Sequence, residues 1–116
     1  MKLIIAGSRN SPNVNIGQIL EKHGLYHLTS DIISGGSGVI DRLGEVFANE
    51  HSRNLVIFYA NWNQHGRGAG PMRNQRMALY ADALLAIWDG KSKGTLNMIE
   101  EMRKLGKPVY VEMVGG

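Results

Sequence analysis

The chain contains no cysteine, only three prolines, and just 7% aromatic residues. Without thiols there are no disulfides and no thiolate metal sites, which fits a reducing cytoplasm, the expected location. No apolar run approaches the roughly 20 residues needed to cross a bilayer, so no membrane partner is expected. Blocks of one charge are also missing. The 13 basic and 10 acidic residues leave a net charge of +3, with no basic tail of the kind that binds nucleic acid, so a nucleic-acid partner is not expected. The four histidines, His23, His27, His51 and His65, lack the spacing of metal ligands, and nothing groups a serine, histidine and aspartate into a triad. Neither metal nor cofactor is expected, and no catalytic residue is assigned.

What is present suits a compact α/β protein. A hydrophobic fraction of 43% is ordinary for a globular chain. The 116 residues fit one domain over 1–116, able to bury roughly two-thirds of its unfolded surface. The opening Met1 to Gly7 is broken by glycine too soon for a signal peptide and reads as a strand. Five short apolar runs follow the pattern of parallel strands covered on both faces: Leu3 to Ala6, Asp31 to Ser34, Leu55 to Tyr59, Ala83 to Trp88 and Pro108 to Glu112. Between them, helical spacing places Ile16, Ile19 and Leu20 on one face, then Val39, Leu43, Val46 and Phe47. Further on come Met77, Tyr80 and Ala81, and finally Leu96, Ile99 and Met102. Strand and helix alternate, which implies a parallel sheet with right-handed crossovers.

Glycine is abundant, with 15 residues, and it concentrates where strands end. Ligands of open α/β sheets bind at the carboxyl ends of strands, where small residues let backbone N–H groups approach an anion. Gly7-Ser8-Arg9 closes the first strand and offers a turn, a hydroxyl and a guanidinium, though a solvated loop arginine explains it as well. Ser34-Gly35-Gly36-Ser37-Gly38 follows the second strand and opens a helix, presenting consecutive N–H donors. Asp41, in that helix's first turn, suits either a ribose hydroxyl or the helix dipole. The polar stretch from Ala60 to Gly70 reads as a long loop before a helix whose first position is Pro71. In it Trp62 either stacks on a base or tucks against the core. Arg73 and Arg76 share a helix face and, with Arg67, Lys91 and Lys93, suit a small anion. In Asp89-Gly90-Lys91-Ser92-Lys93-Gly94-Thr95, Ser92 can cap the last helix. Capping leaves Gly94 unexplained, since glycine costs about 1 kcal/mol there relative to alanine.

Together, Ala6-Gly7-Ser8-Arg9, Gly35-Gly36-Ser37-Gly38 with Asp41-Arg42, Ala60-Asn61-Trp62 with Gly68 to Asn74, and Ala81 to Thr95 resemble the YspA-like branch of the SLOG superfamily. These are Rossmann-like domains related to the lysine-decarboxylase-like "lonely guy" proteins and to DNA-processing protein A. The resemblance implies a three-layer sandwich with strand order 3-2-1-4-5. It also implies a nucleotide-type ligand over the first and fourth strands. The ligand-binding candidates are Gly7, Ser8, Arg9, Gly35, Gly36, Ser37, Gly38, Asp41, Trp62, Arg73, Asn74, Asp89, Ser92, Gly94 and Thr95. Asn97 and Met98 stand where the "lonely guy" hydrolases carry a catalytic glutamate, and neither side chain can replace a carboxylate. The expected function is therefore binding of a phosphate-bearing nucleotide, for sensing or sequestration. A phosphoribohydrolase using Arg73 or Arg76 with an acid such as Asp89 is the alternative, and a single-stranded nucleic-acid binder the third. A homodimer is expected from apolar surface at Met98, Met102 and Met113.

Overall fold

A computed structural model describes residues 1–115. Five strands, β1 (Lys2–Gly7), β2 (Asp31–Ser34), β3 (Asn54–Ile57), β4 (Ala83–Trp88) and β5 (Val109–Met113), form one sheet in the order β3-β2-β1-β4-β5. Every pairing is parallel, and β1 aligns with β4 from Leu3 opposite Ala83 to Gly7 opposite Ile87. The chain winds outward from β1 to β3, then returns to the other side for β4 and β5. The strand order thus reverses between β1 and β4, where the carboxyl ends of two strands diverge into separate loops.

Successive residues of each strand feed opposite layers. Leu3, Ile5, Ile32, Leu85 and Ile87 pack with α1 (Ile16–Lys22) and α2 (Gly38–Glu50). Ile4, Ile33, Leu84 and Ala86 pack with α4 (Ala69–Tyr80) and α5 (Lys93–Lys104). The expected three-layer architecture and strand order are those found. Both central strands are buried on both sides, which explains why they read as continuous apolar runs. Gly7 marks how tightly α2 sits on β1. A Cβ there would stand 2.5 Å from the Ile87 carbonyl oxygen and 2.6 Å from Ile40.

Several helical faces lie one residue from the expected stripe. The last helix buries Thr95, Met98, Ile99 and Met102 and exposes Leu96. Likewise α2 buries Ile40, Gly44, Phe47 and Ala48 and exposes Val46, and Tyr80 is exposed on α4. Met98 and Met102 are therefore core residues. Of the three methionines expected to form apolar surface only Met113 is exposed, so that basis for a homodimer fails. The expected polar loop is folded as well. Asn61 caps α3 (Trp62–His65), accepting from Gln64 N–H at 3.1 Å, and a 3-10 turn, Gly66–Gly68, leads into α4. Because α4 begins at Ala69, Pro71 occupies its third position and Arg73 its second turn. Proline is tolerated there because the first four N–H groups of a helix lack intrahelical partners. No helix among the described residues is long and apolar enough to cross a membrane.

Candidate functional site

A cleft of about 630 Å³ opens at the carboxyl ends of β1 and β4, at the point where the strand order reverses. Its size lies within the range of small-molecule sites. The end of β1 and its loop contribute Gly7, Ser8 and Arg9, the β2 loop contributes Gly35 and Ser37, and the first turn of α2 contributes Asp41. Trp62 stands on α3, Arg73 and Asn74 on α4, and Asp89, Ser92, Gly94 and Thr95 come from the β4 loop and α5. Most of the candidates are thus brought together.

Gly36 and Gly38 stand outside the cleft, and their roles are local. Gly36 has φ +67°, and a Cβ there would meet the Tyr59 ring at 2.9 Å, so valine at this position strains the loop itself. Gly38 has φ +86° and faces Arg9 Cα at 2.9 Å, which lets the first two loops pack against each other. Gly35 does line the cleft, and a Cβ there would stand 2.8 Å from Arg73 Nη1 and 3.2 Å from Asp41 Oδ2, so its lack of a side chain lets both approach.

Arg73 and Asp41 form the charged wall. Arg73 donates from Nη1 to Gly35 O at 2.7 Å and from Nε to Asn74 Oδ1 at 3.0 Å. Burial holds its pKa below the ordinary guanidinium value, opposed by the Asp41 carboxylate. Asp41 Oδ2 accepts from Ser37 N–H at 2.8 Å, so the carboxylate closes the start of its own helix, as a dipole-complementing residue does. Burial pushes its carboxyl up to about 6, against the lowering effects of the Ser37 N–H and the Arg73 charge.

On the opposite wall, Asp89 shapes the loop. Its Oδ1 accepts from the N–H groups of Lys91 and Ser92, each at 2.8 Å, and these bonds hold its carboxyl below the usual range. Ser92 occupies the cap position of α5, but its side chain makes no capping bond. The first N–H groups of α5 are therefore not satisfied by a side-chain cap. At Gly94, in the first turn, a Cβ would meet no protein atom within 4 Å, so packing does not demand a glycine there. Cationic Arg9, Arg73, Lys91 and Lys93 outnumber the two carboxylates along the lining. Ser8 is buried, and among the described residues its hydroxyl has no partner of good hydrogen-bond geometry.

Trp62 is not tucked into the core. It is 49% exposed at the rim, its ring edge lies over Gly70, and the Arg9 guanidinium stands 6.0 Å from the ring centroid. Asn97, Met98 and Met77 also line the cleft but were not among the candidate ligand contacts. Helical spacing carried the signal, since Gly94, Asn97 and Met98 share one face of α5, and Asn74 and Met77 share one face of α4. Among the described residues, no three His, Asp or Glu side chains group as metal ligands.

Fold and cleft define the class: a Rossmann-like α/β protein with its cleft at the strand switch point. A solved structure of DNA processing protein A from Streptococcus pneumoniae shares the fold, at a TM-score of 0.72 and 15% identity. The alignment covers 95% of this chain and 49% of that one, so the chain spans about half the length of that protein. No protein-family model and no curated protein matches the sequence.

Proposed function

We propose that this chain is a single, cytoplasmic SLOG-type domain of the YspA-like branch that binds a phosphate-bearing nucleotide or nucleotide derivative without cleaving it. One observation carries the reading. The start of α5, uncapped by any side chain and open at Gly94, lies in a cleft where Arg9, Arg73, Lys91 and Lys93 are gathered. Orphan N–H groups and a helix dipole favour an anion there. Ser8, Thr95 and Gly7 border the same end, and Trp62 at the rim offers a ring face for a base.

Binding is favoured over hydrolysis by the state of the carboxylates. Among the described residues, the carboxylates lining the cleft are Asp41 and Asp89, and each already accepts a backbone N–H. Asn97 and Met98 supply no further acid or base. The test is mass spectrometry of ligand carried through gentle purification, followed by calorimetric titration with the identified nucleotide and chromatography for released base. Stoichiometric binding with no free base is expected. Steady release of base overturns the non-cleaving reading, and failure to bind any nucleotide overturns the whole assignment.

A second reading, the end of a single strand of nucleic acid, draws on exposed Tyr59 and Trp62, with Arg9 over the Trp62 ring and Arg76 Nη2 donating to Tyr59 O at 3.4 Å. Aromatic rings beside cations suit stacked bases. An oligonucleotide affinity that falls steeply with salt, and exceeds that of the mononucleotide, selects this reading.

A further inference from the structure

The side chains between the two walls form a chain of hydrogen bonds whose direction is fixed. A guanidinium only donates, so Asn74 must turn its amide oxygen to Arg73 Nε, 3.0 Å away. Its Nδ2 then donates to Asn97 Oδ1 at 2.9 Å, with a longer approach of 3.4 Å to Gly94 O, a carbonyl that only accepts. Both ends impose the same orientation. Asn74 is 5% exposed, which makes reversal of its amide expensive, because two buried donors would face each other. Asn97 Oδ1 is therefore committed to Asn74, and its Nδ2 is left as a donor with no partner among the described residues.

We infer that Asn97 is a specificity-determining residue whose amide N–H donates to an acceptor on the ligand's base, a carbonyl oxygen or an unprotonated ring nitrogen. The inference rests on the nucleotide reading above. Position supports the base over the phosphate. Asn97 lies one turn beyond the open N-terminal turn of α5, on the same face as Gly94. Its neighbours along the cleft, Met77 and Met98, are buried apolar side chains whose thioethers suit a flat ring. A base presenting an amino group at this point would set donor against donor, the mismatch that polar sites reject most strongly.

The experiment uses the full chain, titrated with the four ribonucleoside 5′-monophosphates, ribose 5-phosphate and inorganic phosphate. Two variants remove the donor differently. Asn97→Asp keeps an acceptor for Asn74, and Asn97→Leu adds no charge. At least one nucleotide is expected to bind the wild type more tightly than ribose 5-phosphate, and both variants to weaken that nucleotide roughly tenfold. With Asn97→Leu, ribose 5-phosphate and inorganic phosphate should bind as they do to the wild type. Equal weakening of every phosphate compound, or no change in any, overturns the inference and leaves the nucleotide reading standing. A wild type that binds none of the probes overturns the nucleotide reading, and this inference with it. Side-chain amide exchange by NMR supplies a ligand-free check. Asn74 amide protons should exchange slowly and those of Asn97 fast, and the reverse order overturns the assigned direction.

Discussion

Arg73, on α4, donates to the carbonyl of Gly35 at 2.7 Å and so ties the loop that opens α2 to α4 along one wall of the cleft. The same guanidinium lines the cleft. An arginine in the first turn of a helix would sit against the dipole, and its removal would leave the free protein unharmed or slightly firmer. In the second turn, with two hydrogen bonds made, it braces the site as well.

Replacing Arg73 by alanine is accordingly expected to destabilise the free protein by roughly 1–2 kcal/mol, the loss of two charged hydrogen bonds partly replaced by water. That corresponds to a fall in Tm of about 5–10 °C for a chain of this size. Affinity for a phosphate-bearing ligand should fall as well, by roughly tenfold to a hundredfold. Thermal denaturation with and without ligand separates the effects. An unchanged free-protein Tm would show that the Gly35 bond contributes nothing.

Burial of Asp41 should make the stability of the fold depend on pH. Its carboxyl is raised from 3.8 to about 6, chiefly by burial. Between those values the folded chain holds a proton that the unfolded chain has released. Stability from this group is thus fully present at the acid end, declines as pH rises toward 6, and is flat above. At about 1.4 kcal/mol per pH unit the decline amounts to about 3 kcal/mol. Asn at this position still accepts from Ser37 N–H but never ionises. Urea denaturation from pH 4 to pH 8 should show the decline in the wild type and a flatter profile in Asp41→Asn, with the variant the more stable above pH 6. Parallel profiles would show that the carboxylate is not the titrating group.

How much of this was legible in the sequence depends on what each residue's neighbours demand. The strands were legible because a parallel strand buried on both faces must be apolar throughout, as Leu3, Ile4 and Ile5 are. The helix faces were less so. Leu96 and Val46 lie on neighbouring stripes that are equally apolar in sequence, and only the crossing angle on the sheet decides between them. The folding of Trp62 to Gly68 left no periodic signal, because that segment buries nothing and is held by the Asn61 cap. The glycine loop was read as uniform for a different reason. Sequence gives no means of separating Gly35, whose missing side chain makes room for Arg73, from Gly36 and Gly38, whose positive φ favours glycine. Asn97 was noticed for what it lacks, a carboxylate, while its role as a donor depends on Arg73 and Asn74, which lie more than twenty residues away.

The last prediction concerns Ser8, at the end of β1 beside β4. Its backbone N–H bonds to Ile87 O at 3.3 Å and its carbonyl accepts from Ser11 N–H at 3.2 Å, so the main chain is satisfied. Its hydroxyl is buried and, among the described residues, has no partner of good hydrogen-bond geometry. Its approach to the nearby Asp89 carboxyl is a weak, long hydrogen-bonding interaction, a minor contribution to holding that carboxyl low. A buried hydroxyl without a partner is destabilising by about 1–3 kcal/mol, and such groups persist where a ligand completes them. Ser8 lines the cleft, so a phosphate oxygen bound there is expected to accept from this hydroxyl. Ser8→Ala should therefore raise the Tm of the free protein by a few degrees, since it removes the orphan group and leaves no large cavity. The same variant should weaken inorganic phosphate and nucleotide alike, by about fivefold to tenfold, because the lost bond is to the phosphate. Differential scanning calorimetry and calorimetric titration on one preparation measure both. A lower free-protein Tm with unchanged phosphate affinity would mean that a buried water already satisfies the hydroxyl and that Ser8 belongs to the fold alone.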